Sequence, residues 1–103
     1  MERIEKLKEF LKSSPADSFL KHALALEYIK LEDDEQAEMM FTEILEKEPG
    51  YIGSYYHLGK LLERKGEQDK AIETYQKGMQ EARKAGDNHS YNELQGAYED
   101  LAF

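Results

Sequence analysis

A chain of 103 residues with 22 acidic and 14 basic side chains carries a net charge of −8, which repels nucleic acid and anionic lipid unless a local basic patch overrides it. It contains no cysteine, so disulfides, thiolate metal sites and cysteine nucleophiles are excluded. The opening Met1-Glu2-Arg3-Ile4-Glu5-Lys6 has no apolar core of signal-peptide length, and no apolar run approaches twenty residues; a cytoplasmic location without a membrane role is expected.

Apolar residues recur every three or four positions, predicting six helices over 2–12, 16–31, 34–47, 51–65, 68–85 and 88–102. Ser14, Pro15 and Asp17 read as a capping residue, a proline at the first helical position and an acid in the first turn of the second helix. Asp33 with Gln36 resembles a capping box before the third. Pro49-Gly50, Gly66 and Gly86 punctuate the later turns, and Arg83-Lys84 suit a helix C-terminus. The sequon Asn88-His89-Ser90 reads as the start of the last helix rather than a glycan site.

Sliding the sequence by 34 residues superposes Leu24 on Leu58, Ala25 on Gly59, Tyr28 on Leu62, Ala37 on Ala71, Phe41 on Tyr75 and Leu45 on Met79. Ala25 and Gly59 lie on the first helix of each pair, Ala37 and Ala71 on the second. Small side chains there let antiparallel helices approach closely, and bulk at any of the four would cost about 1–3 kcal/mol. A further shift backward sets Leu7 on Phe41 and Pro15 on Pro49, so the first helix is a second-type helix without its partner. Tyr91 and Leu94 repeat Tyr55 and Leu58 at a displacement of 36, so the last is an unpaired first-type helix. Arg3 and Gln95 stand at the small positions of these two end helices, which predicts a capped domain.

The order Leu24-Ala25-x2-Tyr28, Ala37-x3-Phe41, Pro49, then Tyr55-x2-Leu58-Gly59, Ala71-x3-Tyr75 resembles the tetratricopeptide repeat. Lys21, Leu62 and Arg83 depart from its aromatic, tyrosine and proline positions. The resemblance implies an all-α fold, a right-handed superhelical stack of antiparallel helix pairs. It divides a single domain into an N-terminal capping helix (1–14), two repeats (15–50 and 51–86) and a C-terminal capping helix (87–103).

No phosphate loop, dinucleotide fingerprint or zinc-helix histidine pair occurs, so no enzymatic activity and no cofactor are expected. Tyr28, Tyr55, Tyr75, Tyr91 and Tyr98 read as core at the repeat spacing. The resemblance implies a concave groove lined by first-type helices, where a protein or peptide partner binds. Its offsets carry over to His22, Leu26 and Lys30, then Tyr56, His57, Lys60 and Arg64, then His89. Lys30, Lys60 and Arg64 are the candidate anchor for a carboxylate or an acidic peptide, against the plainer reading of solubilising charges on a helix face. The carboxylate clamp of co-chaperone members is not expected: its offsets hold Leu26, which cannot donate, and Glu93, which repels an anion. The three histidines read first as solvated side chains. Two sharper alternatives are a peptide site that strengthens below about pH 6.5 and a divalent metal shared by His22, His57, His89 and Glu93. A structural role is the rival to partner binding: homodimerisation through terminal helices whose Ile4, Phe10, Leu101 and Phe103 are left uncovered.

Overall fold

A computed structural model describes residues 2–103. Six helices follow in order: α1 (Glu2–Ser13), α2 (Ser18–Lys30), α3 (Asp34–Lys47), α4 (Gly53–Arg64), α5 (Gln68–Ala85) and α6 (Asn88–Ala102). They gather into two compact units, Met1–Glu48 and Pro49–Phe103.

In the first unit α2 packs against both α1 and α3. Ile4 and Leu7 of α1 are buried with Leu24 of α2, and Leu20, Tyr28 and Met40 close around them. Ile4 is therefore core rather than uncovered surface. The small positions Ala25 and Ala37 are fully buried beside the equally buried Phe41; burying such a phenylalanine contributes about 1.5–3 kcal/mol. Arg3, on the outer side of α1, reaches Glu27 of α2 at 3.2 Å.

The start of α2 differs from the sequence expectation. Asp17 is the N-cap, its carboxylate accepting the Leu20 N–H at 3.1 Å. Ser14 and Pro15 belong to the preceding turn, whose Ser14 carbonyl accepts the Asp17 N–H. The acid succeeds because its side chain reaches the free N–H groups of the first turn. Asp33 does cap α3, accepting from Gln36 N–H at 3.3 Å. The α2–α3 turn passes through Glu32 at φ 60°, a left-handed conformation that costs a residue with a Cβ about 1–2 kcal/mol.

In the second unit α5 packs against both α4 and α6. Gly59 is indispensable to the first contact, because a Cβ there would run into the Tyr75 ring. Gly78 does the same on the other flank: a Cβ would stand 2.7 Å from Tyr55 Cβ and 2.9 Å from Leu94 Cδ1. Around these contacts Tyr55, Leu58, Ala71, Tyr75, Ala82 and Leu94 are buried. The Tyr55 hydroxyl donates to the Pro49 carbonyl at 2.5 Å, and burial, with Glu81 adding, pushes its pKa up to about 12. α4 begins two residues later than the sequence suggests, without a side-chain cap. Asp87 caps α6 by accepting both the Ser90 N–H and its hydroxyl, at 3.0 and 2.8 Å. The sequon is thus a helix start.

Candidate partner-binding faces

Along α4 a turn of the helix outside the core carries Tyr56, His57 and Lys60. Tyr56 and His57 meet edge to face with centroids 5.8 Å apart, and the Lys60 ammonium lies over the Tyr56 ring at 5.6 Å. Lys60 also pairs with Glu63 at 3.7 Å, and the Glu63 carboxylate accepts the hydroxyl of buried Tyr75. Burial and that carboxylate both push the Tyr75 pKa well above the usual phenol range. Partial burial lowers the His57 pKa, while Glu93 on α6 pulls it back upward. A half-buried tyrosine, a neutral imidazole and a cation shared with a carboxylate therefore form one connected patch. Arg64, one turn on, is exposed, as is His89 at the start of α6.

The first unit treats the remaining candidates differently. His22 is half-buried and stacks edge-on against Phe41 at 5.5 Å. Leu26 is half-buried, and exposed Lys30 is held by Glu27 at 3.1 Å. The Lys30 hydrogen bond, with Arg3 assisting and burial opposing, keeps the Glu27 carboxyl below its ordinary range. The charges of Lys30 and Lys60 are thus partly offset by neighbouring acids. Among the described residues no three His, Asp or Glu side chains are gathered as a metal ion requires, and no helix is long and apolar enough to cross a membrane.

Two tyrosines expected in the core are elsewhere. Tyr91 and Tyr98 are half-exposed and line a cleft of about 630 Å³ between α5 and α6. Tyr28 is also only partly buried, beneath the Lys8 ammonium at 5.9 Å. Periodicity places Tyr91 and Tyr98 on a helix-facing stripe, but no seventh helix follows among the described residues to cover it. The available signal was the match of Tyr91 to Tyr55 and Tyr98 to Leu62, with no counterpart of α5 among the described residues to cover them.

Antiparallel helix pairs sealed at Ala25, Ala37, Gly59 and Ala71 define an α-helical repeat protein. The tetratricopeptide repeat family model matches residues 40–73. The chain is 42% identical to a tetratricopeptide repeat domain protein from Salinibacter ruber, with a TM-score of 0.81 over 84% of this chain and 88% of that one. It is also 33% identical over 81 residues to the Homo sapiens interferon-induced protein with tetratricopeptide repeats 2, covering 75% of this chain and 17% of that protein's length. The TPR2B domain of yeast Sti1, in a complex with pHsp70, has a TM-score of 0.88 at 19% identity, covering 96% of this chain and 79% of that one. The chain belongs to the tetratricopeptide repeat family, and its fold is an all-α solenoid of that type.

Proposed function

We propose that this chain is a non-enzymatic protein–protein interaction module that binds a peptide or protein on the face of its first-type helices. The observation that carries this is the connected patch of Tyr56, His57 and Lys60 on α4. Tyrosine is among the residue types that most often dominate interface energies, and a cation already shared with Glu63 can exchange that partner for an incoming carboxylate. The recorded pHsp70 complex of the yeast Sti1 domain supports partner binding by this fold. It does not extend the chaperone clamp to this chain, where Leu26 and Glu93 occupy clamp offsets. The test is capture of a partner from the native host's extract by the immobilised chain and by a Tyr56→Ala, Arg64→Glu double variant with an unchanged helical CD spectrum. Loss of the captured band is expected; equal capture by both would refute the reading.

Self-association has less support. Ile4 is buried and Leu101 half-buried, which leaves Phe10 and Phe103 as the exposed terminal aromatics. Arg3 and Gln95 put bulk where Ala37–Ala25 and Ala71–Gly59 allow close helix contact, which obstructs head-to-tail docking.

A further inference from the structure

The α5–α6 cleft lies on the opposite flank of α6 from the groove candidates His89 and Glu93. On α4 the stripe of Tyr55, Gly59 and Leu62 is covered by α5. The matching stripe of α6 is Tyr91, Gln95 and Tyr98, and it is open among the described residues. Its wall on the α5 side mixes polar Gln76, Gln80 and Arg83 with apolar Met79, opposite Tyr91 and Tyr98, and one Gln76 amide N–H donates to the Tyr98 hydroxyl at 3.4 Å. The Arg83 guanidinium sits 5.0 Å from the Tyr91 ring centroid and donates to the Tyr91 hydroxyl at 2.8 Å. No carboxylate among the described residues pairs with Arg83, whereas Lys84 beside it is paired with Glu81 at 3.4 Å. On a chain of net charge −8, this is an unneutralised cation fixed on an aromatic face.

We propose that this cleft is a second peptide-binding site, which takes an acidic segment in extended conformation. Three features select that occupant. Arg83, already oriented by Tyr91, offers its remaining N–H donors to a carboxylate. The Gln76 and Gln80 amides each present a donor and an acceptor, as an unpaired peptide backbone requires. Gln95 takes the place that glycine holds in α4, and its bulk stops a helix from seating as closely on α6 as α5 does on α4. A slimmer extended chain needs no such approach, and its apolar side chains can lie on Tyr91 and Tyr98.

The probe is a fluorescein-labelled ten-residue peptide of alternating glutamate and leucine, titrated by anisotropy into the full chain. An alternating lysine–leucine peptide serves as control. Saturable binding of the acidic peptide alone is expected, weakening with added salt. Arg83→Glu should weaken it at least tenfold, Arg83→Lys should keep part of it, and Lys12→Glu, a charge reversal on exposed α1, should leave it unchanged. Amide shifts in an isotope-labelled sample should cluster within 76–84 and 91–98. The proposal is overturned by no saturation at millimolar peptide, by equal binding of the basic peptide, or by an effect of Lys12→Glu as large as that of Arg83→Glu. It is also overturned if sedimentation shows a self-associated form that Arg83→Glu dissolves, since the occupant is then a second copy.

Discussion

The two repeats solve one packing problem with different chemistry. At matched positions the first has Ala25, Leu26, Ile29 and Phe41; the second has Gly59, Lys60, Glu63 and Tyr75. Phe41 and Tyr75 are equally buried, so the second repeat must supply an acceptor for a hydroxyl that the first lacks. It does so with Glu63, standing where the first has an isoleucine. That carboxylate in turn draws Lys60 toward it and over Tyr56. One added oxygen in the core thus propagates to the surface. The polar character of the α4 face is, in part, a consequence of how α5 is packed.

The largest break in this comparison comes at the glycine. Gly59→Leu forces atoms into the space of the buried Tyr75 ring, and destabilisation by roughly 3 kcal/mol or more is expected in urea unfolding. Ala25→Gly, the reverse exchange in the first repeat, should cost only about 1 kcal/mol, from helix propensity. Equal effects at the two positions would show that α4 and α5 are no closer than α2 and α3.

Next in size is the acceptor. Glu63→Ile alone strands the buried Tyr75 hydroxyl and should cost about 1–2 kcal/mol. Adding Tyr75→Phe restores the first repeat's combination and should recover most of that loss. A double-mutant cycle without coupling would mean that the pair is not a unit. The turns offer a smaller contrast of the opposite sign. Glu32 and Gly66 match in register and both have positive φ, 60° and 81°. Glu32→Gly should therefore stabilise the chain by about 0.5–1 kcal/mol. A lowered urea midpoint would show that the Glu32 side chain contributes more than its backbone strain costs.

Much of the fold was legible because repetition doubles every signal. The 34-residue register located Ala25, Ala37, Gly59 and Ala71, and all four are buried contacts. The cap of α2 was misread because Ser14, Pro15 and Asp17 all carry helix-start chemistry, and only backbone geometry selects the acid. Tyr91 and Tyr98 were misplaced for a different reason. Periodicity reports which face a side chain occupies, whereas burial depends on whether another element covers that face. The candidate site was legible only as a helix face. That Lys30 pairs with Glu27, and that Lys60 is shared between Glu63 and Tyr56, depends on rotamers that spacing does not encode.

The smallest contrast is at His57, whose counterpart in the first repeat is Ala23. Partial burial lowers its pKa below the ordinary 6.5, and Glu93 opposes that shift. The unfolded chain takes up the proton near 6.5, so between that value and the folded one it binds more protons than the native state does. Stability from the neutral imidazole is therefore complete above about pH 6.5 and is lost as pH falls through the folded value. The urea midpoint of the wild type should fall more between pH 7 and pH 5.5 than that of His57→Gln, whose other carboxylates and histidines titrate alike and cancel in the difference. Glu93→Gln should deepen the wild-type fall, since a carboxylate that favours the imidazolium is gone. Parallel pH profiles for wild type and His57→Gln would show that the imidazole is no less solvated than in the unfolded chain. The measurement also bears on acid-triggered peptide binding: a histidine that resists protonation becomes cationic only below the pH expected for a solvated one. Of the three imidazoles, the one at the centre of the α4 patch would then be poorly suited to switch it.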